Sequence, residues 1–484
     1  MQKKFVTNLA LVLVLNLLIK PFWIIGIDLA VQNAVGTEQF GFYYAIFNFS
    51  FLLNILLDLG ITNFNNKNIS QNNHLLSKHL SSIIVLRMLL TGIFVILTLV
   101  GGWIIGYTPD MMKMLAAVIF NQVLNSFILY LRSNLAGLHL FKTDSIISVL
   151  DRLIMIIICG ILLVKHKTHG TFDIRWFIYT QTFAYALTAL ITLIVVMKKA
   201  KIRRLQWRWP FFLMILKKSY PYAVLVLLMT FYNRIDGVML ERILPFREGA
   251  NQAGIYASAY RLLDASNMIA FLFAGLLLPI FARMIKLKQN VEEMVRLAFS
   301  LLVVPAFVVA ITCFFFSNEI MGLLYNGNHV KESSDVFKIL ICCFVPISTT
   351  YIFGTLLTAN GNLKQLNIMA SLGMTLNIIL NIILIPRYEA VGSAISSITT
   401  QLFTAFAQVV MTRKTFEFRY NFKLIGTIIL FIATCVLMNY YIYYLPLNWI
   451  VRLLIAAGSC FVVAIATKLI AVRNIYHILK YGEE

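Results

Sequence analysis

Apolar runs of about 20 residues or more follow one another along almost the whole chain, separated only by short polar connections. They lie near 7–31, 40–62, 80–102, 111–136, 145–164, 172–197, 219–241, 254–281, 296–317, 336–358, 365–386, 390–411, 423–444 and 449–470. A segment in hydrocarbon must satisfy its backbone N–H and C=O groups internally, which only helices and closed barrels do. The runs lack the two-residue alternation of barrel strands, so each is read as a helix. The expectation is an all-α, polytopic membrane protein of about fourteen spans. Composition agrees: 60% of residues are hydrophobic and 13% charged, against about 25% charged in a soluble domain. No polar stretch is long enough to build a separate soluble core.

The net charge of +21 is read through topology rather than nucleic acid, because no soluble module exists to carry such an interface. With the amino terminus inside, cytoplasmic connections hold Lys3, Lys4, Lys67, Lys78, Arg132, Lys142, the cluster Lys198–Lys218, Arg413, Lys414 and Arg473. The opposite side holds fewer, among them Lys113, Arg175, Arg242 and Arg387. This bias places both termini in the cytoplasm. The first run is too long for a signal peptide and lacks a small-residue cleavage site, so it reads as a retained span. KKAKIRRLQWRWPFFLMILKKS, residues 198–219, alternates basic and aromatic side chains. It is either an interfacial segment on anionic lipid or an ordinary basic loop.

Internal similarity suggests duplication. GFYYAIF at Gly41–Phe47 resembles GIYASAY at Gly254–Tyr260, and the same offset carries Asp28 onto Glu241. NLAGLHLFK (Asn134–Lys142) echoes LTANGNLK (Leu357–Lys364) at nearly that spacing. The expected organisation is two six-helix lobes with pseudo-two-fold symmetry, 1–197 and 219–412, joined by the linker 198–218. Residues 413–484, with the last two spans, form a peripheral addition.

No Walker A loop, H-E-x-x-H or G-x-S-x-G occurs, so no catalytic residue is assigned and the chain is not read as an enzyme. The histidines and six cysteines show no metal spacing, so no metal is assigned. The informative residues are ionisable groups inside spans, each costing about 2.5–3.5 kcal/mol near the bilayer centre unless it faces a wet cavity or a partner. The cations Lys20, Arg87, Arg152, Arg234 and Arg261 are candidate substrate-binding residues. Arginine grips phosphate oxygens in a bidentate way, so such a set favours an anionic substrate. The acids Asp28, Asp58, Asp236 and Asp264 are candidates for coupling or for tuning the cavity. Simpler alternatives stay open: Arg261 and Asp264 pair at i, i+3, Asp151 and Arg152 are adjacent, and Asp58 beside Gly60 serves a turn or cap. Pro21 breaks the first span next to Lys20.

Taken with LLDLGI (Leu56–Ile61), FYNRIDGVML (Phe231–Leu240), the G-x-Y openings at Gly41 and Gly254, and the link IPRYEAVGSAISS (Ile385–Ser397), the chain resembles the bacterial polysaccharide repeat-unit flippases (Wzx-type) of the multidrug/oligosaccharidyl-lipid/polysaccharide exporter superfamily. That resemblance implies two lobes around a cationic cavity, alternating between inward and outward openings. It implies a multi-pass protein of the bacterial inner membrane that carries undecaprenyl-pyrophosphate-linked oligosaccharides between leaflets. Membrane lipid surrounds it, and a polysaccharide polymerase and a chain-length regulator are expected partners. By position the family's important residues fall on Lys20, Asp58, Arg234, Asp236, Arg261 and Asp264, with Lys20 lacking the guanidinium fork. No cofactor is expected beyond a coupling Na+ or H+, whose identity the sequence leaves open. The rival readings are a cation or drug antiporter of the same superfamily and an integral-membrane polymerase or ligase.

Overall fold

In a computed structural model, residues 18–19, 22–62, 65, 69, 75–138, 140–169, 172–199, 207–325, 329–418 and 421–469 are described. Among them there is no strand. A π-helical stretch, Trp23–Asp28, leads into α1 (Leu29–Val35). Then come α2 (Thr37–Leu52), a 3-10 turn (Asn54–Leu57), α3 (Leu75–Ile104), α4 (Pro109–Gly137), α5 (Phe141–His169), α6 (Ile174–Met197) and α7 (Trp209–Ile243). The rest are α8 (Phe246–Lys286), α9 (Glu292–Phe315), α10 (Ser317–Leu324), α11 (Val330–Cys342), α12 (Phe344–Asn360), α13 (Leu363–Phe416), α14 (Phe422–Tyr443) and α15 (Trp449–Ala466).

Eleven helical stretches among the described residues are long and apolar enough to cross a membrane. One of them, α13, has 54 residues, and at about 1.5 Å per residue it exceeds the hydrocarbon thickness more than twofold. It holds Pro386 and a non-helical Glu389 at φ 50°, so it is two spans meeting at a kink. Gly392 lets the second segment turn back tightly, because a Cβ there would lie 2.5 Å from the Leu384 carbonyl oxygen. This is the IPRYEAVGSAISS link between the expected runs 365–386 and 390–411. The expected second span ends early: α2 has 16 residues and gives way to the 3-10 turn and to Leu59 and Gly60 at positive φ. Fourteen therefore stands as an expectation beside the eleven.

Exposed side chains are largely apolar, including Trp103, Ile104, Phe406 and Val462. Such a surface suits hydrocarbon rather than water.

The chain divides into two compact units, Met1–Gly254 and Ile255–Glu484. In the first, one core gathers Leu80, Ile83, Leu86, Tyr130, Leu131, Leu135, Val196 and Phe212 from α3, α4, α6 and α7. In the second, α14 and α15 pack on α9 through Val304, Val308, Phe431, Cys435, Cys460 and Ala464. Their other faces expose Ile429, Leu437, Leu454 and Val462. Each helix thus packs by one face and leaves an apolar face exposed.

Candidate functional site

Span charges in the first unit form local groups. Asp58 follows the 3-10 turn, where Leu59 and Gly60 adopt left-handed backbone and free the Thr62 N–H to donate to its Oδ1 at 3.1 Å. The same oxygen receives Arg87 Nη1 from α3 at 2.7 Å. Arg87 Nη2 donates to the Ser126 carbonyl (2.8 Å) and to Ser126 Oγ (2.5 Å) on α4, and the guanidinium lies 5.0 Å from the Tyr130 ring centre. Asp58 thus serves both as cap and as counter-ion. Arg87 is engaged by Asp58, Ser126 and Tyr130 together.

A second group forms where the π-helical stretch meets α5 and α6. One π turn shifts the helix register, and Asp28 closes it. Arg152 on α5 lies 3.5 Å from Asp151, and its guanidinium sits 5.5 Å from the Trp23 ring and 5.8 Å from that of Tyr185. Asp28 lies close enough to act electrostatically on both Arg152 and Tyr43. Gln181 Nε2 donates to the Tyr43 hydroxyl at 3.0 Å, and Trp23 stacks on Phe177 at 5.8 Å. The fold therefore brings the candidates Asp28 and Arg152 into one polar group. Lys20 and Pro21 lie outside the described residues.

The third group lies on α7. Arg234 is half-buried, 5.5 Å from the Phe51 ring of α2, and Asp236 is buried. Nearby, Gly237 admits Tyr44: a Cβ would lie 2.6 Å from that ring. Farther along, Arg242 clasps the buried Glu241 with two of its three guanidinium nitrogens, Nε to Oε2 at 2.5 Å and Nη2 to Oε1 at 2.8 Å. Its Nη1 donates to the Ile105 carbonyl at 2.9 Å.

Beside it runs a seam between α2 and the first turns of α8. A Cβ on Gly41 would be driven into the Ala250 carbonyl oxygen, and one on Gly254 into that of Thr37. The relation is reciprocal: the offset carrying Gly41 onto Gly254 also carries Thr37 onto Ala250. The Gln32 amide donates to the Gly254 carbonyl at 2.9 Å, and Thr37 Oγ1 donates to Asn251 Oδ1 at 2.5 Å.

In the second unit Arg261 is buried on α8. Its Nη1 donates to the Tyr325 hydroxyl, which donates onward to the Ser258 carbonyl at 3.2 Å. Asp264 lies half-buried one turn along. Tyr325 follows α10 at a distance in sequence that gives no hint of this contact. The forked Arg132–Asp144 pair across the α4–α5 turn, Nε to Oδ1 at 2.7 Å, was also missed, although its spacing over a short turn could have revealed it. Among the described residues no cluster of three or more His, Cys, Asp or Glu is arranged to hold a metal ion.

This is the fold of a class of multi-span transporters. The structure is similar to that of lipid II flippase MurJ in an inward closed conformation, with a TM-score of 0.73 at 14% identity over 96% of this chain and 99% of that one. It is similar also to an inward-facing multidrug resistance MATE family transporter of the MOP superfamily (TM-score 0.64, 13% identity, 82% of this chain and 94% of that one). A third similar structure is the Vibrio cholerae MATE transporter VcmN in its bent form (TM-score 0.51, 13% identity, 85% of this chain and 98% of that one). No curated protein sequence matches. The polysaccharide biosynthesis protein family model matches residues 5–285, and the chain belongs to that family.

Proposed function

We propose that the protein moves oligosaccharide repeat units linked to undecaprenyl pyrophosphate from the cytoplasmic to the periplasmic leaflet of the inner membrane, for surface polysaccharide assembly. The observation that carries this reading is the retention of arginines inside the spans of a polysaccharide biosynthesis family member. Arg234 is set against Phe51 and Arg261 against Tyr325. A guanidinium over a ring keeps its charge and its fork of donors. A pyrophosphate head cannot cross hydrocarbon unaided, whereas its polyprenyl tail prefers it. Arg234 and Arg261, with Lys20, grip the head; Asp28, Asp236 and Asp264 tune its hold or its release. A Na+ or H+ gradient would drive the cycle through these acids. The likeness to lipid II flippase MurJ supports a lipid-linked cargo.

The test is surface polysaccharide export in a strain dependent on this chain. Arg234→Ala and Arg261→Ala should each lower export by roughly tenfold or more at unchanged protein level, the loss expected when charge-assisted hydrogen bonds to phosphate go. Untranslocated repeat units should then collect on the cytoplasmic leaflet. Full export from both variants would overturn the reading. The likeness to MATE transporters favours a second reading, cation antiport, and binding of a cationic dye in preference to a lipid-pyrophosphate sugar would select it.

A further inference from the structure

A recess of about 390 Å3 opens in the first unit where α4 and α6 begin. Because α3 to α6 run back and forth with short turns, the starts of α4 and α6 share one face, and Lys198 and Lys199 after α6 lie at the other. Three rings line the recess, each from a different helix: Phe42 of α2, Tyr179 of α6 and Phe246 of α8. Phe42 and Phe246 meet with centroids 4.9 Å apart, tilted by 44°, and Tyr179 and Phe246 are exposed. Asp110, Lys113 and Arg175 line the same recess.

An aromatic belt anchors a protein with rings that each face lipid around its circumference. Here three rings converge on a single hollow that also holds a carboxylate and two cations. The charges are balanced locally. Lys113 Nζ lies 3.1 Å from Asp110 Oδ1 in an exposed pair, and Asp173 lies 4.0 Å from Arg175. A balanced set does not select a phosphate, which calls for uncompensated cations. It does supply an acceptor and several donors side by side, in an exposed ion pair that opens at little cost. A ligand that uses all of this has apolar C–H faces to lie on rings and a rim of hydroxyls that both give and accept hydrogen bonds. Pyranose sugars have that form. The volume lies at the small end of the range for small-molecule sites, about 300–1,000 Å3, and suits one or two sugar rings.

We propose that this recess is a saccharide subsite on the face opposite the basic linker, receiving the leading sugars of the cargo on its release side. The proposal rests on the flippase reading above. It assigns Tyr179 and Phe42 as stacking surfaces, Asp110 as acceptor, and Lys113 and Arg175 as donors.

The full-length protein in lipid nanodiscs is tested by saturation-transfer NMR against free hexoses, N-acetylhexosamines and disaccharides, and separately for binding of undecaprenyl pyrophosphate. At least one sugar should receive saturation and keep it when undecaprenyl pyrophosphate is saturating. Tyr179→Ala should weaken sugar binding by roughly tenfold, the loss of one stacked ring. Asp110→Asn, an exposed substitution, should weaken it as well, and the lipid-facing Trp103→Ala should leave it unchanged. No transfer to any sugar, equal transfer in the Tyr179 and Asp110 variants, or sugar binding that appears only when phospholipid is removed would each overturn the proposal. The last result would assign the recess to a lipid headgroup. Sugar binding without undecaprenyl pyrophosphate binding would keep the subsite and remove the flippase reading; lipid binding without sugar binding would do the reverse.

Discussion

A guanidinium moved out of water loses several kcal/mol of hydration, and in α3 Arg87 recovers it from the Asp58 carboxylate, the Ser126 backbone and hydroxyl, and the Tyr130 ring. Removing one partner of such a pair strands the other. Asp58→Asn keeps an oxygen for the Thr62 N–H but deletes the charge, and should destabilise the fold by about 3–5 kcal/mol. Thermal unfolding in detergent should show a lowered midpoint. Asp58→Leu combined with Arg87→Met, which removes both charges, should recover much of it, and a midpoint unmoved by Asp58→Asn would show the pair idle. That Asp58 and Arg87 lie in or beside spans was legible from LLDLGI and the third apolar run, since that placement follows from hydropathy alone. Their partnership was not, because it depends on which helices become neighbours. The same holds for Tyr325 with Arg261. By contrast, the adjacency of Asp151 and Arg152 is local, and the structure keeps them 3.5 Å apart.

At the level of helices, the glycines of the α2–α8 seam leave backbone facing backbone. No long side chain has to be withdrawn for the two to part, and weak Cα–H···O contacts hold such surfaces together. Gly41→Val and Gly254→Val should each keep the seam from closing. A disulfide between cysteines placed at Thr37 and Asn251, whose side chains now meet at 2.5 Å, should form readily in the parent and poorly in either valine variant. Undiminished cross-linking would show that the seam tolerates a side chain. The G-x-Y repeat announced these two glycines, but only the fold shows that each faces the other's neighbours. Packing also groups α7 with the first unit, where Gly237 lies against Tyr44, although the repeat in sequence starts its second copy near this helix. Sequence similarity and packing are separate signals, and packing records what touches in this structure. The kink in α13 was legible because Pro386 and Gly392 are local breakers. The early end of α2 was not, because the residues from Leu53 onward are as apolar as those before.

For the whole molecule, the orientation expected from the distribution of lysine and arginine among the connections is open to direct test. A membrane-impermeant thiol reagent applied to intact cells should label a cysteine introduced at Thr108 and spare one at Lys199; the reverse pattern would invert the topology. The apolar exterior was legible because lipid imposes one rule on every span. How the charges group was not, since nothing in composition distinguishes a cation that meets cargo from one that meets a carboxylate. The contact at Gly41 and Gly254 is reciprocal. A surface whose two sides are equivalent under a two-fold operation is complementary to itself. A half-length chain bearing Thr37 and Gly41 would therefore be complementary to a second copy of itself through this patch.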